Sequence, residues 1–180
     1  VAAYAFTTLT VIPGMLDYKQ AKIQILDVPG IVSGAASGKG RGKEVLNVIL
    51  NADLVLMVVD VTHPEHYPAI LKEVWDSNIR LNKTRPEVFI KKKAYGGINI
   101  GKTVPLDLDD DTLKKILREF KMMNVDVLIR SPVDADSFID VIEGNKKYVP
   151  AITCLTKADI VDTARLDKVK KELNADIFIS

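Results

Sequence analysis

The sequence predicts an α/β fold, a doubly wound and mostly parallel sheet interrupted by an α+β insert. Three observations carry this. Leu54-Val55-Leu56-Met57-Val58-Val59 is apolar at every position and ends on Asp60, the pattern of a strand buried on both faces of a parallel sheet. The segments on either side alternate such runs with helix-period stretches. Between about residues 79 and 148 the composition turns basic and interrupted, and the rhythm resumes after Pro150. The expected organisation is a main domain of residues 1–78 and 149–180 around an inserted subdomain of 79–148.

Taken in order, residues 11–28 read as two strands. Val11, Ile12 and Leu16 lead into a polar turn at Tyr18-Lys19-Gln20, and Lys22 to Val28 returns. Residues 30–43 are rich in Gly and Ser, which predicts a loop. Lys43 to Asn51 places Val45, Val48 and Ile49 at helix spacing. Pro64-Glu65 opens a helix to about Ser77, with Tyr67, Ile70, Leu71, Val74 and Trp75 on one face. A hairpin is expected within 79–105. Asp109, Asp110 and Asp111 precede a helix carrying Leu113, Ile116 and Leu117, where carboxylates suit the unpaired amides and the dipole. Val125 to Ile129 is a strand stopped by Ser131-Pro132, and Asp134 to Glu143 a helix closed by Gly144-Asn145. Strand 151–155, helix 163–173 and strand 176–179 complete the chain.

Composition excludes several classes. The chain has 180 residues, 47% hydrophobic, with a formal net charge of +1, so bulk charge makes no case for nucleic acid. No apolar run approaches the ~18 residues of a membrane span, and no signal peptide is visible. The single cysteine, Cys154, lies in an apolar run and reads as a buried thiol in a reducing, cytoplasmic setting. The chain opens on Val1 and ends on Ser180 just after a strand-like run, so both ends read as cuts inside a larger protein.

Two short motifs carry chemistry. Asp27-Val28-Pro29-Gly30 ends one apolar run and Thr156-Lys157-Ala158-Asp159 another. In open α/β sheets ligands lie outside the carboxyl ends of the strands. A carboxylate such as Asp27 can hold the water shell of Mg²⁺, and a glycine three residues on lets a backbone amide approach a phosphate oxygen. The Asp159 carboxylate can accept from the N1 and N2 donors of guanine, while the Lys157 stem lies along the base. The bland reading of Asp159 is a local helix cap. DxxG followed by TKxD at two strand ends points to a GTPase. Tyr4 to Thr10 adds a threonine hydroxyl able to ligate Mg²⁺, in a segment ordered by the γ-phosphate.

These residues, with Gly34 to Gly42, Asn51-Ala52-Asp53, Ile79-Arg80-Leu81-Asn82-Lys83 and Tyr148 to Ala151, resemble the G domain of the Obg superfamily. The resemblance is closest to its DRG branch (developmentally regulated GTP-binding proteins), archaeal members included, and covers nearly the whole chain. It implies a P-loop-NTPase-type, Ras-like sheet truncated at its amino end, with an insert of S5 domain 2-like fold. It further implies GTP or GDP with Mg²⁺ as ligands, K⁺ as an aid to hydrolysis, and the ribosome, ribosomal RNA and a stabilising protein as partners. Thr8 would ligate Mg²⁺, with Thr7 as fallback. Asp27 and Gly30 would meet Mg²⁺ and phosphate, and residues 31–43 would be the second switch. Thr156, Lys157 and Asp159 would read guanine, and Ser180 would begin the last motif.

Departures from the family pattern shape the expectation. No phosphate-binding loop precedes Asp27, so the chain alone is expected to be inactive. Ile31 follows Gly30 where Ras-like enzymes place a water-orienting glutamine, which predicts slow hydrolysis. Thr156 stands where asparagine is commoner, which predicts weaker bracing of the site. Gly96-Gly97-Ile98-Asn99-Ile100-Gly101-Lys102-Thr103 spells a phosphate loop letter for letter but lacks a preceding buried strand and a following helix. Two basic groups, Lys39/Arg41/Lys43 and Arg80 to Lys93, read as solvated faces or as contacts to RNA. The alternative function is a non-catalytic RNA- or protein-binding module.

Overall fold

The computed structural model describes residues 11–30 and 42–180. Their element order is β1 (Ile12–Tyr18), β2 (Ala21–Asp27), α1 (Gly42–Asn51), β3 (Val55–Asp60), α2 (His66–Asp76), β4 (Ile79–Leu81), β5 (Val88–Lys92) and β6 (Ile98–Lys102). Then come α3 (Asp110–Glu119), β7 (Val125–Ile129), α4 (Ala135–Glu143), β8 (Lys147–Val149), β9 (Ala151–Thr156), α5 (Thr163–Glu172) and β10 (Ile177–Phe178). The chain divides into one unit of residues 1–82 and 149–180 and a second of 83–148.

In the first unit β9 is central, with β3 and β10 parallel to it on either side. The register runs from Val55↔Ala151 to Asp60↔Thr156. Alternate side chains Met57, Val59, Ala151, Thr153 and Leu155 are buried. Val45, Leu46 and Ile49 of α1 and Val74 of α2 cluster with Val55, and Val169 of α5 and Leu173 just after it cluster with Val59 and Leu155. The expectation that β3 is buried on both faces is corrected. Leu54, Leu56 and Val58 are 52%, 56% and 58% exposed, because the helices of the described residues cover only the opposite face. The β1–β2 hairpin pairs antiparallel with itself, Ile12↔Asp27 through Tyr18↔Ala21, and Lys19 at its turn takes a left-handed φ of 54°.

In the second unit the strand order is β5-β7-β6, with β5 antiparallel and β6 parallel to β7. The hairpin expected in 79–105 is therefore corrected: β5 and β6 flank β7 instead of pairing with each other. Val125, Val127 and Ile129 explain why β7 takes the centre, since their burial with Leu113, Leu117 and Phe138 makes the core of the unit. Caps fix both helices. Asp109 accepts from the Thr112 amide at 2.6 Å, and Asp134 forms a capping box with Ser137. Gly144 closes α4 at φ 65°, a conformation that favours glycine.

Candidate functional site

Three strands of the first unit end on polar residues: β2 on Asp27, β3 on Asp60 and β9 on Thr156. Parallel pairing sets Asp60 directly beside Thr156. The Thr156 hydroxyl donates to the Val59 carbonyl at 3.4 Å, and the Val61 amide donates to the Thr156 carbonyl at 3.2 Å. The turn after β9 thus rests on β3. Lys157 then takes a left-handed φ of 58° and leads into a single 3-10 turn, Ala158–Ile160. That twist reverses the chain within one residue and sends the lysine back toward β3.

Lys157 Nζ lies 2.7 Å from Asp60 Oδ2. The other Asp60 oxygen accepts from the Thr62 amide at 2.8 Å and its hydroxyl at 2.6 Å. Burial pushes the Asp60 carboxyl up, but the hydrogen bonds from Lys157 and Thr62 outweigh it and hold the pKa down at about 2. Asp60 therefore anchors the motif lysine. Motif spacing gave no reason to single it out. The signal that could have found it is that Asp60 ends an apolar run just as Asp27 does.

The other predicted residues fall as follows. Ala158 donates its amide to the Ile179 carbonyl at 3.1 Å, which brings Ser180 beside the Thr156–Asp159 turn. Asp159 is exposed and does not act as a cap; Asp162 caps α5 by accepting from the Arg165 amide at 2.7 Å. Asp176 is likewise engaged, accepting from the Thr153 amide at 2.7 Å. Asp27 is exposed at the end of β2, and Val28 packs on the cluster of α1, α2 and β4. Thr8, Ile31 and most of the second-switch stretch lie outside the described residues. Residues 96–103 are a turn followed by strand β6, with Lys102 paired to Asp110 at 2.6 Å, and so form no phosphate loop.

The donor set suits a guanine nucleotide. Asp159 offers an acceptor with no protein partner among the described residues. Asp27 offers one hard oxygen group of the kind a hydrated Mg²⁺ takes. Among the described residues there is no cluster of three or more His, Cys, Asp or Glu that could hold a metal by itself. Among the described residues no helix is long and apolar enough to cross a membrane.

Residues 1–93 match the family model described as a 50S ribosome-binding GTPase, and residues 95–180 match that of the C-terminal region of the same domain. An uncharacterised GTP-binding protein of Methanocaldococcus jannaschii is 49% identical over 96% of this chain and 44% of its own length. Developmentally-regulated GTP-binding protein 1 of Xenopus laevis is 49% identical over 95% of the chain and 47% of its length. Developmentally-regulated GTP-binding protein 2 of Homo sapiens is 43% identical over 98% and 49%. The chain spans a little under half the length of these relatives.

Proposed function

Because the chain belongs to the family of 50S ribosome-binding GTPases, we propose that it supplies the guanine-reading and switch parts of a DRG-type, ribosome-associated GTPase. One observation carries the guanine site. Of the four carboxylates around the turn after β9, Asp60, Asp162 and Asp176 are committed to protein donors, and Asp159 alone has no partner among the described residues. A carboxylate left open there is the group that would accept two N–H donors of guanine. Lys157, held by Asp60, would lie along the base, and Thr156 and Ser180 would frame it.

Asp27 would hold the water shell of Mg²⁺ and the Gly30 amide would face the terminal phosphate, with Thr8 as a direct ligand. Bound Mg²⁺ would neutralise phosphate charge. Ile31 cannot orient water, so hydrolysis is slow, and a rate that rises when K⁺ replaces Na⁺ would support a cation aid. Residues 1–78 and 149–180 form the nucleotide-binding part and 79–148 the insert. The lone buried Cys154 supports a reducing, cytoplasmic setting. A ribosomal contact and a stabilising partner protein follow by likeness to the relatives alone.

The test is titration with fluorescent GDP and a non-hydrolysable GTP analogue in Mg²⁺, for the chain and for the chain extended upstream of Val1 through a phosphate loop. Tight binding is expected only in the extended form. Asp159→Asn should exchange guanine for xanthine preference, since an amide can donate to the xanthine O2 carbonyl that replaces the guanine amino group. Failure of the extended form to bind any guanine nucleotide would overturn the reading.

A further inference from the structure

The turn after β9 is braced unevenly. An asparagine at position 156 would offer two donors and an acceptor. The Thr156 hydroxyl makes one long bond instead, 3.4 Å to the Val59 carbonyl. Lys157 follows at φ 58°, a conformation that disfavours any residue with a Cβ, and its side chain is half exposed. Its ion pair among the described residues is with Asp60 Oδ2. A carboxylate turns readily about its last torsion, where the wells are broad and two-fold. Asp60 lacks that freedom, because the Thr62 amide at 2.8 Å and the Thr62 hydroxyl at 2.6 Å converge on Oδ1. Oδ2 is thereby turned toward Lys157. Thr62 is itself a fixed point. On one side of it the Val61 amide donates to the Thr156 carbonyl at 3.2 Å. On the other, the hydroxyls of Tyr67 in α2 and Thr153 in β9 share a hydrogen bond of 3.1 Å. A local turn at a strand end would account for Oδ1 alone. It does not account for a lysine 97 positions away on the other oxygen.

We propose that Thr62 is a positioning residue for guanine recognition, fixing Asp60 so that Lys157 lies along the base and supplying the bracing that Thr156 makes weakly. The role rests on the guanine reading of residues 156–159 and adds to it a residue that belongs to none of the motifs. Thr62 acts through Asp60 and Lys157. The base is common to GDP and GTP, so loss of the Thr62 hydroxyl weakens both alike, whereas a group at the phosphate end would separate them. The state of Asp60 reports the same contact without nucleotide. Burial pushes its carboxyl up, and the bonds from Lys157 and Thr62 outweigh burial and hold it at about 2. Without the Thr62 hydroxyl it rises toward its ordinary value of 3.8.

Two measurements test it, on the chain extended upstream of Val1 through a phosphate loop. Thr62→Val keeps the shape and the backbone amide and removes the hydroxyl. Fluorescent GDP and the non-hydrolysable GTP analogue should each bind it about five-fold more weakly, by the same factor. Thr62→Ser, which returns the hydroxyl, should restore both. The second measurement follows the Asp60 carboxyl by NMR through an acid titration without nucleotide. Its midpoint should rise from about 2 in Thr62→Val, a change that lost packing alone would not produce. Circular dichroism checks each fold, and Thr62→Ala takes the place of Thr62→Val should the latter not fold. Parent affinity in Thr62→Val, a loss confined to the GTP analogue, no rescue by Thr62→Ser, or an unmoved midpoint would each overturn the proposal. A parent that binds no guanine nucleotide would overturn the guanine reading and the proposal together. That outcome is distinct, because no variant then has an affinity to lose.

Discussion

Asp60 shows how one side chain can decide the aim of another. Lys157 belongs to the motif, but its direction is set by a carboxylate 97 positions earlier in the chain, 2.7 Å from its Nζ. A depressed carboxyl stabilises the fold fully above its ordinary pKa of 3.8 and loses that contribution as pH falls through about 2. Lys157 is half exposed, so solvent screening reduces the gain to about 1 kcal/mol. Asp60→Asn should lower stability by that amount at neutral pH, and the difference from the parent should vanish between about pH 4 and 2. Urea unfolding followed by Trp75, the single tryptophan, reads it. A difference that persists at pH 2 would assign the loss to packing. In the proposed site the same change should also weaken guanine-nucleotide binding, because the lysine would be free to wander.

Individual elements are tied together by side chains as well as by ladders. Asn82, at φ 53°, ends β4 and reaches β9: its amide donates to the Ala151 carbonyl at 2.9 Å, and its oxygen accepts from the Ala151 amide at 2.7 Å. It imitates a backbone partner where β4 stops. Asn82→Ala removes both bonds and puts alanine in the left-handed region, at a cost of about 2 kcal/mol. Trp75 fluorescence is again the probe, since Arg80 of β4 stacks on its ring at 3.6 Å. Asn82→Asp, which keeps the acceptor and loses the donor, should fall between the two. Equal stability of Asn82→Ala and the parent would remove Asn82 as a tie.

At the scale of the molecule the notable feature is apolar surface left open. Leu56 and Val58 of β3, with Leu54 just before it, are exposed, and Ile12, Leu16, Ile23 and Ile25 share one face of the β1–β2 hairpin. Such patches promote association. The chain at high concentration should sediment above its monomer mass of 19.9 kDa. Leu56→Lys should restore the monomer without loss of stability, because Leu56 is 56% exposed and little packing is given up. A parent chain that stays monomeric throughout would show the patch to be inert.

The sequence by itself determined the element types around the site. Apolar runs and period-3.6 patterns mark β3, β7, α3, α4 and α5 within a residue or two, while β1 and β2 are marked by the polar turn between them although every residue of both is exposed. The family was legible from short motifs, because glycines and aspartates at fixed spacing have few substitutes where a backbone must approach phosphate. Tertiary structure alone decided the rest. Only pairing placed Asp60 beside Thr156, set β7 between β5 and β6, and left one face of β3 bare. Those facts depend on which strand lies next to which, and hydrophobic periodicity records that a residue is buried without recording what buries it.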